Sequence, residues 1–345
     1  MENADLLIQF FPALLMGLYI SIITILLGIT FSNNWFLLVS ALYFLFVLTL
    51  RTRFVSPTYV LGLVVLLYFI APILREYEWF SLVDVVLQQM DIRAVSLLLA
   101  LSLIVEGCLI RLNGPVYTSP RLEKSKRGKW VGYHEANRLW ILPVIAFVPA
   151  GIIPTFEYWP VFSVNEISLQ PVLFPLLIGF QLQVRGSHPT NAIRRYGQSI
   201  LLVGLAAILL VIAIYYVPWL AIILAIGTVI AREVLTFMHK KRDEVQSPYF
   251  SSSPKGCVIV GVLPGSPAEK MKLTVGETIQ KVNGMHVSNE HEFYERLQLN
   301  SAFCKLEVLD FDGEVRFAQT PLYDGQHHQI GILFVKEEHV WQDTI

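Results

Sequence analysis

The sequence predicts an α-helical polytopic membrane domain of about eight spans, followed by a small α+β domain. Three observations carry this expectation. Of the 345 residues, 54% are hydrophobic and 15% charged, whereas ordinary soluble domains are about 25% charged. The apolar residues gather in runs close to the ~20 residues that cross a bilayer. The net charge of −1 divides into +6 over residues 1–242 and −7 over residues 243–345, and such asymmetry separates segments with different surroundings.

Eight runs are candidates for spans: Leu7–Thr30, Trp35–Leu50, Tyr59–Leu74, Ala94–Ile110, Leu139–Phe156, Leu169–Val184, Ile200–Tyr216 and Trp219–Phe237. The fifth and sixth contain Pro143, Pro149, Pro154, Pro171 and Pro175, which break or kink helices, so six spans is the alternative. The acidic N-terminus and the long first run do not fit a cleavable signal peptide. With both ends cytoplasmic, the inner loops hold 15 Lys and Arg residues and the outer loops only Arg75 and Arg93. By the positive-inside rule the C-terminal domain is expected in the cytoplasm.

The longest inner loop carries the basic cluster Arg121, Lys124, Lys126, Arg127 and Lys129. Two readings are open: contact with anionic lipid headgroups, or docking of an acidic cytosolic partner. Trp79–Leu87 is expected to lie in the outer interface as an amphipathic segment. Glu106, Arg232 and Glu233 lie near the inner ends of their spans, where snorkelling to water is expected.

The ionisable residues of the spans exclude several classes. All eight histidines fall outside the runs, and no run contains Asp. His134-Glu135 and His291-Glu292 both lack the second His of HExxH, so an intramembrane zinc protease is not expected. Serine and aspartyl intramembrane proteases lack their His and Asp. The basic residues flank apolar runs and the soluble part is acidic, which argues against nucleic-acid binding. Cys108, Cys257 and Cys304 are widely spaced and form neither a disulfide framework nor a zinc pattern. No cofactor or metal is expected.

A membrane domain over residues 1–242 is thus expected to give way to a polar linker (243–254), a folded domain (255–337) and a short tail (338–345). Cys257–Val262 reads as a buried strand and Pro267–Met271 as a short helix with Pro in its first turn. Thr278–Val282 is a strand closed by the Asn283-Gly284 turn. Ser288 is expected to cap a helix over Asn289–Leu299. Lys305–Phe311 and Glu314–Gln319 alternate around an Asp312-Gly313 hairpin turn, and Ile330–Val335 is the last strand.

Val262-Leu-Pro-Gly-Ser-Pro-Ala268, Val275-Gly-Glu-Thr-Ile279 and Val282-Asn-Gly284 resemble the core of bacterial PDZ domains, with Glu277 where Asp is usual. The order of elements resembles the circularly permuted bacterial form. The resemblance implies a carboxylate-binding loop at Gln329, Ile330, Gly331 and Ile332, whose backbone N–H groups would nest a peptide carboxylate, with Leu333 continuing into the strand that the ligand joins. Phe293, Tyr294 and Leu297 would line the groove. Phe293 and Leu297 read equally well as core residues at helical spacing.

A multi-span part followed directly by one such domain, together with Lys126-Arg-Gly-Lys129, Glu135-Ala-Asn-Arg-Leu-Trp140, Phe174-Pro175 and Ile178-Gly-Phe180, resembles the MinJ family of cell-division topological determinants. That resemblance implies a non-enzymatic scaffold at the septum and poles that bridges DivIVA-like and MinD-like proteins, with self-association open. The alternatives are a PDZ-containing membrane protease and a PDZ-regulated transporter or sensor.

Overall fold

The computed structural model describes residues 2–77, 80–125, 128–149, 162–164, 167–251, 253, 255–300, 303–322 and 330–335. Two compact units emerge. The helical unit comprises Met1–Tyr117, Ala136–Leu182 and Ile193–His239. The sheet unit comprises Thr118–Glu135, Gln183–Ala192 and Lys240–Ile345.

In the helical unit, α1 (Glu2–Leu26) and α2 (Asn33–Val47) precede a 3-10 turn at Thr52–Phe54. Then come α3 (Pro57–Leu74), α4 (Ser81–Gln88) and α5 (Ile92–Leu112). Local chemistry sets the starts: Ser32, Ser56 and Asp91 cap α2, α3 and α5 with side-chain oxygens, and Pro57 occupies the first turn of α3. The short α4 falls on the segment expected to be amphipathic, although Trp79 lies outside the described residues. A turn without regular structure leads to β1 (Ser119–Lys124), β2 (Trp130–Pro149), β3 (Phe162–Val164) and β4 (Ile167–Val184), and two long helices follow, α6 (Pro189–Tyr216) and α7 (Leu220–Val245). Among the described residues, α1, α3, α5, α6 and α7 are long and apolar enough to cross a membrane, and α2 is a shorter apolar helix.

The fifth and sixth apolar runs are not helical spans; they are β2 and β4, neighbours in a sheet of order β1-β2-β4-β3. The part of the fifth run beyond Pro149 lies outside the described residues. The reason is visible in β2, where Trp140, Leu142, Val144, Ala146 and Val148 are buried while Leu139, Ile141 and Ile145 are exposed. This is the two-residue period of a strand, and prolines at positions 143, 171 and 175 would each remove a helix hydrogen bond. The strands are held by α1 and α2. Phe31 N–H donates to Phe147 O at 2.9 Å, Ile145 N–H to Ser21 Oγ at 2.8 Å and the Tyr43 hydroxyl to Leu177 O at 3.1 Å. Phe174 of β4 joins Trp35 and Phe36 in an aromatic cluster.

Helices α5 and α6 meet through small residues, as helices in lipid commonly do. A Cβ built on Gly107 would lie 2.5 Å from the backbone N of Leu201, so only glycine permits that approach.

In the sheet unit, β5 (Phe250–Ser251) pairs with β2. After it come β6 (Cys257–Val262), α8 (Pro267–Lys270), β7 (Thr278–Val282), β8 (Met285–His286), α9 (Glu290–Gln298), β9 (Phe303–Leu309), β10 (Val315–Pro321) and β11 (Ile332–Phe334). These strands form a sheet of order β10-β9-β7-β6-β11, with β8 added to β7. Its core holds Ile259, Ile279, Val282, Phe293, Leu297, Leu306 and Val308, all buried. The expected elements are present with ends shifted by a few residues. One cap differs: Asn289, not Ser288, accepts the Glu292 N–H at 2.9 Å, and Glu292 in turn accepts from Ser288 N–H at 2.8 Å. This reciprocal arrangement satisfies two donors at the helix start. It also holds the half-buried Glu292 carboxyl below its ordinary pKa, chiefly through the hydrogen bonds from Ser288.

Candidate functional site

The last strand, β11, lies at the sheet edge and pairs antiparallel with β6, Ile332 opposite Val262 and Leu333 opposite Gly261. Helix α9 stands beside it, with the rings of Phe293 and Phe334 4.9 Å apart. Gly331 enters the strand at φ +83°, a left-handed conformation that favours glycine. A Cβ there would lie 2.2 Å from Ser266 Cβ. The loop is pinned from one side, since Leu263 N–H donates to Gly331 O at 2.8 Å and Ala268 N–H to Ile330 O at 3.0 Å.

The structure therefore brings Ile330, Ile332, Phe293, Tyr294 and Leu297 together in one core, whereas Leu333, between the inward Ile332 and Phe334, turns to the other face of β11 beside Gly261. Phe293, Leu297, Ile330 and Ile332 belong to the buried core, Tyr294 packs half-buried on its margin, and Leu333 is 39% exposed. Burial raises the Tyr294 phenol above its usual range. Gln329 lies outside the described residues. Glu277, which stands in the place of the usual Asp, is buried; it accepts from Thr274 N–H at 2.8 Å and pairs with Arg316 at 2.7 Å. The larger carboxylate is accommodated by a bidentate guanidinium partner.

The basic cluster is part of a β-hairpin formed by β1 and β2, closed where Gly128 N–H donates to Ser125 O and Ser125 N–H to Lys129 O. Arg121 pairs with Glu135 at 2.9 Å, and the Lys124 ammonium lies 5.3 Å over the Trp130 ring. Lys129 is exposed at the turn, while Lys126 and Arg127 lie outside the described residues. Lys124, Lys129, Trp130, Arg185 and Asp243 line a cavity of about 780 Å³.

Sequence reasoning missed how this hairpin is attached to the sheet of β6 and β11. His134 donates from Nε2 to Val260 O at 2.8 Å, which leaves Nδ1 to accept the Thr118 hydroxyl at 2.7 Å. Burial holds the His134 imidazole below its ordinary pKa. Phe250, Val260 and Val335 form a second apolar cluster with Trp130, Tyr249, Val258 and Val275. Asp243 accepts from the N–H groups of Arg185 and Gly186, both at 2.8 Å. The alternation of buried and less buried residues from Tyr133 to Val148 appears only in the folded sheet, because most of the residues on both faces from Leu139 onward are apolar.

A second missed feature lies in the helical unit. Glu106 and Arg232 do not snorkel: they are 0% and 3% exposed and form an ion pair. Ser56 bridges them, donating to Glu106 at 2.8 Å and accepting from Arg232 at 2.7 Å. Glu233 pairs with Arg53 and accepts the Tyr59 hydroxyl at 2.5 Å. Both side chains are buried, so each charge is compensated by the other and by neighbouring polar groups rather than by water. Among the described residues, no group of His, Cys, Asp and Glu is arranged to hold a metal ion.

The fold and this site define a membrane protein that carries a PDZ domain, a module for binding protein segments: a PDZ-domain family model matches residues 258–308. Over 343 residues, spanning 97% of this chain and 84% of the relative, the chain is 34% identical to the cell division topological determinant MinJ of Bacillus subtilis strain 168. It is 26% identical over 253 residues to the probable cell division topological determinant MinJ of Lacticaseibacillus paracasei, covering 71% of this chain and 66% of that one. The chain belongs to the MinJ family of cell division topological determinants.

Proposed function

We propose that the chain is a non-enzymatic, membrane-anchored scaffold that recruits division-site-selection proteins to the septum and poles, bridging DivIVA-like and MinD-like partners. The observation that carries this reading is the edge strand β11 beside α9, entered through the left-handed Gly331. That arrangement suits strand addition by a peptide, with backbone hydrogen bonds giving affinity and flanking side chains specificity. The order of elements, with this strand last, supports the circularly permuted form. Reading β2 and β4 as strands removes two spans together, so the inner loops keep their 15 basic residues and a cytoplasmic sheet unit still satisfies the charge rule. Anionic lipid at the Lys124–Lys129 hairpin turn suits its exposed basic residues.

Live-cell imaging of the tagged full chain tests the reading. Fluorescence should concentrate at division sites and poles, and Gly331→Val should leave the protein in the membrane while releasing its PDZ-dependent partner. Uniform membrane fluorescence, with normal division in a deletion strain, would overturn it. The buried Glu106–Arg232 pair favours a second reading, a PDZ-regulated transporter or sensor, because intramembrane ion pairs often mark substrate or proton paths. Solute flux into vesicles that is lost on Glu106→Gln, with the fold retained, would support that reading over the scaffold.

A further inference from the structure

Strand β10 forms the opposite edge of the PDZ sheet, and among the described residues it pairs with β9 alone. Exposed strand edges offer unpaired N–H and C=O groups, and soluble proteins usually protect them with lysine, inward-facing charge, bulges or short length. This edge shows little such protection. It is seven residues long with no register shift against β9, and its Pro is the last residue. Its one charge, Arg316, is turned to the face where Glu277 and Lys272 O hold it. On the other face Val315 and Phe317 are 49% and 63% exposed, a combination of apolar side chains and open backbone that favours pairing.

We infer that β10 is a self-pairing edge, joining the PDZ sheets of two copies through antiparallel β10–β10 contact. The sequence of the strand is compatible with its own reverse. A twofold axis at Phe317 sets Phe317 against Phe317, Val315 against Gln319 and Arg316 against Ala318, so no like charges stand directly opposite. A register centred on Arg316 would oppose two guanidinium groups and is disfavoured.

The edge is about 23 Å long at ~3.3 Å per residue, too small for the ~800 Å² per partner of a stable soluble complex. The net charge of −7 over residues 243–345, which hold this edge, also opposes free association. Anchoring in a membrane confines the copies and raises their effective concentration, so the contact belongs to the membrane-bound protein and tightens with local density. This inference does not depend on what β11 binds.

Cysteine crosslinking of the full chain in native membranes tests the inference. Cys257 and Cys304 are buried, and burial raises the Cys304 thiol to about 12, so a Cys108→Ser background isolates an introduced thiol. Oxidation should link Phe317→Cys copies roughly tenfold faster than copies of an exposed control, Lys255→Cys, given close Cβ approach at the axis. Val315→Cys should link to Gln319→Cys in mixed membranes, and adding Phe317→Lys to both should abolish that link. Phe317→Thr, which keeps β propensity while removing the ring, should weaken it and guards against a fold defect. Crosslinking at the control rate, persistence of the link in the Phe317→Lys pair, or capture of a different protein by Phe317→Cys in place of a second copy would each overturn the inference.

Discussion

Glu106→Gln is the sharpest test of how the helical unit is held together. The substitution keeps the side-chain volume and the contact with Ser56, but it removes the charge opposite Arg232. Arg232 stays protonated with neutral partners: Ser56 Oγ at 2.7 Å, the carbonyls of Arg53 and Gly179 at 3.3 and 3.4 Å, and the Tyr59 ring at 5.1 Å. Breaking a buried pair from one side costs ~3–5 kcal/mol, and these four contacts place Glu106→Gln at the lower end, about 3 kcal/mol. Arg232→Met strands the fully buried Glu106 with Ser56 and should cost about 4 kcal/mol. The double variant removes both charges and should recover about half of the summed loss, because replacing a whole buried pair is often nearly neutral. Trp35 and Trp140 are buried in this unit, so their fluorescence reports unfolding of the detergent-purified chain. At ~2–4 °C per kcal/mol, the single variants should melt on the order of 10 °C lower. Singles within about 0.5 kcal/mol of the parent, or a double equal to their sum, would show that the pair carries no coupling and that the reasoning is wrong.

Three further expectations concern packing and protonation. Gly107→Leu forces α5 from α6, where the first added carbon already falls 2.5 Å from Leu201 N; a loss of ~1–3 kcal/mol should appear in the same melting assay, and a neutral result would mean the helices do not pack there. Phe250→Ala empties the cluster under Val260 and Trp130, at a cost of ~3–5 kcal/mol, so hydrogen exchange over residues 118–135 should accelerate while α9 stays protected. His134 is held below its ordinary pKa by burial, against the Val260 hydrogen bond, which raises it; the nearby His188 lowers it further. The unfolded chain therefore binds a proton that the folded one does not. Stability from neutral His134 is complete above its unfolded value of ~6.5 and is lost as pH falls below it. Exchange over 118–135, corrected for intrinsic rates, should rise on acidification from about pH 7.5 to about 5.5, and His134→Gln should flatten that rise.

The PDZ domain was legible because its turns are written in residue types with few alternatives. Asn283-Gly284, Ser266-Pro267 and Asp312-Gly313 punctuate strands whose inward residues alternate, and each of these marks falls where the structure turns or starts a helix. The cap of α9 was one residue off because Ser288 and Asn289 are both competent, and only the position of the Glu292 N–H decides between them.

By itself the sequence determined a chain with long apolar helices, a PDZ domain at its C-terminal end and kinship with a cell-division family. Those properties reside in composition, local spacing and short motifs. Tertiary structure decided that Leu139–Pro149 and Leu169–Val184 are strands, since a run apolar on both faces has the same composition as a span and only its partners reveal the two-residue period. It decided that Glu106 meets Arg232 rather than water, and that His134 and Phe250 join the basic hairpin to β6. Each of these pairs residues far apart in the chain. Hydropathy and charge counts sum over neighbours in sequence, whereas desolvation and pairing are settled by neighbours in space.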